Sequence, residues 1–252
     1  MLRTRIIPAL LLHDKSLVKT QKFGKFCYIG DPANTVRIFN ELEVDELCFL
    51  DISAARKNRG PNFDVLRDVA SECFMPLSYG GGISSFEQAK QVYDIGFEKV
   101  IVNTASYSKP ELIPEISRVY GSQAVVVSID VGRALWGKSQ LRSQSGKTRH
   151  AASAVDWARQ MENRGAGELL LTSIPREGSY EGFDLELISE VSAAVDIPVI
   201  AHGGAGKLDD IRSAIDHGAS AVALGSMVVF QKKDMGVLVN FPAPDVLEDL
   251  LA

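Results

Sequence analysis

The sequence predicts an α/β protein, a (β/α)8 TIM barrel made of two half-barrel repeats and occupying residues 1–252 as one domain. Short β-rich apolar runs alternate with amphipathic helical stretches from end to end, the pattern of repeated βα units. Several runs are nearly continuous, such as Ala124-Val125-Val126-Val127-Ser128-Ile129, as expected of parallel strands buried on both faces. The chain also repeats itself. Met75-Pro76-Leu77-Ser78-Tyr79-Gly80-Gly81-Gly82 returns 122 residues later as Ile197-Pro198-Val199-Ile200-Ala201-His202-Gly203-Gly204, and the same offset carries Gly96 onto Gly218, Thr104 onto Ser226 and Glu46 onto Glu168. A period near half the chain means two half-barrels, since solenoid repeats run to roughly 20–50 residues.

Eight strands are expected, in order, at 5–11, 46–51, 75–80, 99–103, 124–130, 168–172, 197–202 and 221–225. The second closes on Asp51, the third on a glycine triplet and the fifth on Asp130. Helix signals lie between them. Asp31-Pro32 supplies an N-cap and a proline at the first helical position, and Val36, Phe39 and Leu42 follow at helical spacing. Ser84 and Glu87 fit a capping box closed by Gly96. Leu208, Ile211, Ala214 and Ile215 make an apolar stripe closed by Gly218. The longest connections, 12–31 and 131–151, are expected as loops, where barrels keep function.

Composition narrows the function classes. The net charge of −5 argues against nonspecific nucleic-acid binding but leaves anionic small substrates open. Three scattered cysteines (Cys27, Cys48 and Cys73) make neither a disulfide framework nor a metal motif and fit a reducing compartment. The four histidines show no metal-ligand spacing. No signal sequence and no membrane span is expected. The reading is a cytoplasmic protein with no metal and no cofactor.

Each half offers a phosphate cradle: Gly80-Gly81-Gly82 with Asn103-Thr104, and Gly203-Gly204-Ala205-Gly206 with Gly225-Ser226. Glycines let backbone N–H groups approach phosphate oxygens, and the hydroxyls of Thr104 and Ser226 add donors. Two symmetry-related copies at strand ends favour phosphates over mere tight turns, and imply a ligand with a phosphate at each end. Asp130 and Asp51 are acid/base candidates, or else caps and ion-pair partners of nearby loops. Lys19 is either a phosphate clamp or a solvated lysine. His202 either contacts ligand or packs. Trp136 and Arg142–Arg149 belong to a mobile lid or to a solvated hairpin. At the opposite barrel end, Arg5, Glu46, Lys99 and Glu168 stand at strand starts. Buried charges need partners, so on the residues alone a neutral plug of salt bridges is the favoured reading.

Taken together, Arg5-Ile6-Ile7-Pro8, Leu17-Val18-Lys19, Phe49-Leu50-Asp51-Ile52, Gly80-Gly81-Gly82-Ile83, Val102-Asn103-Thr104, Ile129-Asp130, the segment Gly165–Ser173 and Gly203-Gly204-Ala205-Gly206 resemble the cyclase subunit of imidazole glycerol phosphate synthase over essentially the whole chain. The resemblance implies a barrel mouth that cyclises a ribulosyl bisphosphate-like substrate with ammonia from a glutaminase docked under the barrel. It implies Asp130 as a catalytic acid/base. It places Lys19, Asp51, Gly81, Gly82, Asn103, Thr104, Thr172, Gly203, Gly204, Gly225 and Ser226 at the substrate, and makes Arg5, Glu46, Lys99 and Glu168 an ammonia gate with Glu98 beside it. It turns the plug reading toward a gate.

The departures point to a paralogue. Leu11 stands where the family has its other catalytic Asp, and Asp14 does not replace it. Lys15 and Thr20 stand at glycine positions, and Pro175-Arg176-Glu177-Gly178 replaces an Asp-Arg-Asp-Gly pattern. The implied role is a barrel subunit that receives ammonia and supports sugar amidation in surface-polysaccharide synthesis, together with the glutaminase and a sugar amidotransferase. The alternatives are the histidine-pathway cyclase and a phosphosugar isomerase on the same half-barrel repeat.

Overall fold

The computed structural model describes residues 4–134, 138–233 and 235–251, so Trp136 lies outside the described residues. The elements run β1 (Arg5–His13), β2 (Ser16–Thr20), β3 (Phe26–Gly30), α1 (Pro32–Glu41), β4 (Leu47–Asp51), α2 (Phe63–Glu72), β5 (Leu77–Gly80), α3 (Phe86–Ile95), β6 (Lys99–Val102), α4 (Thr104–Ser108), α5 (Leu112–Tyr120), β7 (Val125–Arg133), β8 (Ser139–Ser143), β9 (Thr148–Arg149), α6 (Ala154–Asn163), β10 (Glu168–Ser173), α7 (Leu185–Ser192), β11 (Val199–His202), α8 (Leu208–Asp216), β12 (Ala221–Leu224) and α9 (Pro244–Leu251). Eight parallel strands close on themselves in the order β1-β4-β5-β6-β7-β10-β11-β12, with β12 pairing back onto β1. This is the expected (β/α)8 barrel, and its eight strands are those read from the buried runs.

Period-two alternation sorts each strand into a shell and a lumen. Ile6, Leu10 and Leu12 of β1, with Val125, Val127 and Ile129 of β7, pack outward against the helices. Ile7, Ala9, Cys48, Ile101, Val126, Leu170, Ile200, Ala221 and Ala223 fill the lumen. Helix α1 starts as expected: the Asp31 carboxylate accepts from the Asn34 N–H at 2.9 Å, and Val36 and Phe39 are buried.

Two expectations need correction. The connections 12–31 and 131–151 are not irregular loops. Strands β2 and β3 form an antiparallel hairpin continuing β1, and β8 and β9 form another continuing β7. Helix α3 is capped by Ser85, not Ser84. Ser85 Oγ accepts from the Gln88 N–H at 3.3 Å, while the Ser84 N–H donates to Gln88 Oε1 at 2.8 Å. Gly96 does close that helix in the left-handed conformation, at φ +118°. Among the described residues no helix is long and apolar enough to cross a membrane.

The turn into β10 shows where a methyl group has no space. A Cβ at Gly167 would lie 2.2 Å from the Ser122 carbonyl oxygen, whereas one at Gly96 would meet nothing within 4 Å. Gly167→Ala is therefore expected to cost about 2–3 kcal/mol by overpacking. Gly96→Ala is expected to cost about 1 kcal/mol, through its backbone conformation alone. Urea unfolding of both variants checks the order.

Candidate functional site

The C-terminal ends of the strands surround a cavity of about 390 Å3. Its polar side is one row of the barrel, because Thr172 is in register with Asp130 on one neighbouring strand and with His202 on the other. Facing that row, Leu11 and Leu50 pair in register on β1 and β4. Leu11 is only 6% exposed. The mouth therefore has a hydrogen-bonding arc and an apolar wall.

Asp130 is buried and, among the described residues, faces donors but no cation. Asn103 Nδ2 donates to its Oδ2 at 3.1 Å and Ser128 Oγ to its Oδ1 at 3.1 Å, and Thr172 stands in register beside it on the neighbouring strand. Burial raises its pKa to about 7, against the opposing pull of the donors from Ser128, Thr172 and Asn103. A carboxyl that gains or loses its proton near neutrality suits acid/base work.

The two glycine sites share a backbone but not a volume. Gly81, Gly82, Gly203 and Gly204 all take positive φ, at +128°, +72°, +92° and +122°. A Cβ at Gly82 would lie 2.5 Å from the Arg59 carbonyl, and one at Gly204 2.1 Å from the Gly182 carbonyl. The first site opens into the large cavity beside Asn103 and Thr104. There the Asn103 amide is turned to Asp130 and to the Ser128 carbonyl, and the Thr104 hydroxyl accepts from the Gln144 N–H at 3.2 Å.

The second site, around Gly203, Gly204, Gly225 and Ser226, is a cleft of about 20 Å3. Lys19 reaches it from β2, buried, with its ammonium donating to the Ala9 carbonyl. Burial lowers the Lys19 pKa to about 8, with Glu177 pulling the other way. Lys19 is thus a lumen-facing cation, not a solvated lysine. The Ser226 carbonyl accepts from the Tyr180 hydroxyl at 3.2 Å.

Asp51 also lines the mouth, but its carboxylate holds a loop. Its Oδ1 accepts from Ser53 N, Ser53 Oγ and Ala54 N at 2.8, 2.8 and 3.0 Å, and Arg59 lies 3.3 Å from its Oδ2. The cap reading describes this geometry better than the acid/base one.

Four connections meet over the mouth, through residues that sequence reasoning missed. Glu177 accepts from the Thr20 hydroxyl at 2.9 Å and from the Phe23 N–H at 3.0 Å. Arg56 donates to the carbonyls of Phe23 and Ser145, and Ser145 Oγ donates to the Ile52 carbonyl. The signals were faint: Glu177 lies in a tetrapeptide that departs from the resembling family, and Arg56 in an unremarkable loop.

At the N-terminal end the four charges close a ring. Arg5 Nη1 lies 2.7 Å from Glu46 and Arg5 Nη2 lies 2.9 Å from Glu168, while Lys99 Nζ lies 3.1 and 3.2 Å from the same two carboxylates. Burial works against the Arg5 charge, yet Glu168 and then Glu46 outweigh it and hold its pKa above the ordinary value. The ring closes one end of the lumen with two positive and two negative groups.

Comparison with known proteins agrees with this architecture. A family described as "Histidine biosynthesis protein" matches residues 5–234. The chain is 45% identical over 249 residues to the Pseudomonas aeruginosa protein named "Putative imidazole glycerol phosphate synthase subunit hisF2", covering 98% of this chain and 99% of that protein. It is 42% identical over 244 residues to the Leptospira borgpetersenii protein named "Putative imidazole glycerol phosphate synthase subunit HisF", covering 96% of each. To the HisF subunit of Alkaliphilus metalliredigens it is 39% identical over 226 residues, covering 90% of each. The chain belongs to the histidine biosynthesis protein family and is HisF-like along nearly its whole length.

Asp130 gives a pH dependence with a definite sign. The native carboxyl keeps its proton up to about pH 7, whereas an unfolded Asp releases it near pH 4. The native state then binds more protons between those values, so stability falls as pH rises through the window. Asp130→Asn removes that loss. The variant is expected to gain about 1–3 kcal/mol over wild type on going from pH 4 to pH 8. Parallel denaturant unfolding at the two pH values measures it.

Proposed function

We propose that this chain is the barrel subunit of a glutamine-dependent amidation system. It receives ammonia at its N-terminal face from a glutaminase partner and passes it along the lumen toward the mouth. In this reading residues 1–252 act as one domain in the cytoplasm, and the ammonia supports amidation of a sugar in surface-polysaccharide synthesis by a separate amidotransferase. Arg5, Glu46, Lys99 and Glu168 are the gate. Gly81, Gly82, Asn103 and Thr104 hold one phosphate of a small ligand, and Gly203, Gly204, Gly225 and Ser226 hold a second, with Lys19 beside it.

The observation that carries this reading is Leu11. The family's cyclisation needs two carboxylates, and here Asp130 faces a buried leucine packed in register with Leu50. Acid/base groups contribute roughly 10²–10⁴-fold in rate, so a cyclase lacking one is a poor cyclase. The ion-pair ring is meanwhile complete. An entrance kept while the local chemistry is reduced suits ammonia that is used elsewhere. The sugar rests on resemblance to cyclase paralogues of glycan pathways. The second reading, histidine-pathway cyclase, draws on Asp130, whose carboxyl titrates near neutrality.

Two experiments separate them. Purified protein given the histidine-pathway substrate and excess ammonium salt is expected to turn over at background. Leu11→Asp is expected to raise that rate by about tenfold, short of the full range open to a general acid/base. Robust wild-type turnover would return the chain to histidine biosynthesis. With the glutaminase present, Lys99→Ala should leave both glutamates to Arg5 alone. It is expected to lower amidation per glutamine hydrolysed by severalfold, while amidation fed by ammonium salt persists. Unchanged coupling would make the ring a plug.

A further inference from the structure

Asp130, Thr172 and His202 occupy adjacent strands at one level of the barrel. Thr172 stands in register beside Asp130 and acts on its carboxyl as a donor, and its oxygen lies 3.1 Å from His202 Nδ1. A hydroxyl has one hydrogen. While that hydrogen points at Asp130, the oxygen must accept from His202, so Nδ1 carries the ring proton and Nε2 is bare. Nε2 turns the other way. It lies 3.9 Å from the point where a Gly225 Cβ would stand, and Lys19 Nζ lies 3.2 Å from the same point. The bare nitrogen thus borders the second cleft, whose 20 Å3 holds about one small polar group.

The pattern can invert. Once Asp130 is protonated, its O–H can donate to Thr172, the Thr172 hydroxyl can turn to Nδ1, and the ring proton then sits on Nε2. The ring stays neutral throughout, because burial and then the Lys19 charge push its pKa down to about 3.

We propose that His202 is the acid–base group of the second cleft and shares one mobile proton with Asp130 through Thr172. The ligand is a phosphorylated sugar, one of whose phosphate oxygens enters the cleft beside Lys19. In the donating direction, the Asp130 O–H bond breaks and its proton goes to Thr172 Oγ1. The proton that Thr172 already carried passes to Nδ1, and the Nε2–H bond breaks as the ligand O–H bond forms. Asp130 ends as a carboxylate and the ring ends neutral with Nδ1 protonated. The reverse sequence takes a proton from the ligand. This relay does not depend on the amidation reading, since it concerns the protein's own protons.

The charged groups around the relay are few. Lys19 of β2 faces His202, Glu177 acts on Lys19 from the segment after β10, and Tyr107 of α4 interacts with Asp130. Lys19 loses its proton only around pH 8, so over pH 5–7.5 the change at His202 tracks Asp130.

The test is NMR of full-length protein with 15N-labelled histidine and 13C-labelled aspartate, the His202 signals being assigned by His202→Gln. Wild-type His202 is expected to stay neutral and to switch from Nε2–H at pH 5 to Nδ1–H at pH 7.5 and above, with the midpoint of the Asp130 carboxyl. A single tautomer across the range, or a switch with a different midpoint, overturns the relay. Thr172→Ser should keep the switch and Thr172→Val should abolish it. If the valine variant does not fold, Asp130→Asn serves, and His202 should then hold one tautomer at every pH. Adding ribulose 5-phosphate should move the wild-type Nε2 resonance. No movement at saturating probe would remove His202 from the ligand site. None of these outcomes bears on whether ammonia enters through the ring, which the Lys99→Ala coupling experiment reads separately.

Discussion

Desolvation of inward-facing charge is the constraint that the barrel obeys at both ends. A lumen filled by Ile7, Ala9, Cys48, Ile101, Val126, Leu170, Ile200, Ala221 and Ala223 offers a charge no water, and an unpaired ion there would be very costly. The N-terminal end meets this with opposite charges. Arg5 and Lys99 each touch both Glu46 and Glu168, so no single contact carries the ring. The mouth meets it with neutral donors. Asp130 has Asn103, Ser128 and Thr172 around it and no cation, so it stays partly protonated near pH 7. One rule gives a ring of paired opposite groups at one end and a proton-exchanging carboxyl at the other.

The strands were legible because parallel strands buried on both faces have no polar period to disguise them, and the helices because Asp31 and Gly96 punctuate them. The repeat was legible down to backbone conformation: Gly81 and Gly82 share positive φ with Gly203 and Gly204. The two hairpins were not. Strands β8 and β9 are short and rich in serine, arginine and threonine, so they read as loop until paired with β7. The Ser85 cap was missed because Ser84 offers the same chemistry one residue earlier. Asp51 could be placed at the mouth from sequence, but only coordinates show Ser53, Ala54 and Arg59 gathered on its carboxylate. Glu177 and Arg56 act between segments more than 30 residues apart in sequence, and no local spacing encodes that.

Sequence symmetry did not produce functional symmetry, and the reason is a matter of volume. The half-barrel offset that aligns Gly81 with Gly203 also aligns Gly80 with His202. Glycine at the first position leaves room for the 390 Å3 cavity. An imidazole at the second, with the Lys19 side chain arriving from the β2–β3 hairpin, reduces its counterpart to about 20 Å3. A whole phosphate fits the first site as it stands. The second must open for one, and the hairpin closes it with Lys19, while Thr20 and the Phe23 backbone are bonded to Glu177.

Leu11 lines both of these spaces and so forms part of the wall between them. Its effect is therefore wider than the loss of one proton-transfer group. Beside Leu50 it gives the mouth an apolar wall against which water and polar ligand groups are poorly held, opposite the Asp130–Thr172–His202 arc. A carboxylate placed at this position would border both Leu50 and the cleft that holds the Lys19 ammonium, so desolvation would push its pKa upward while the cation pulled it down. Where the resemblance implies a second carboxylate, the mouth thus presents an apolar side chain opposite Asp130. The relay proposed for Asp130, Thr172 and His202 would run along neighbouring strands instead of across the barrel.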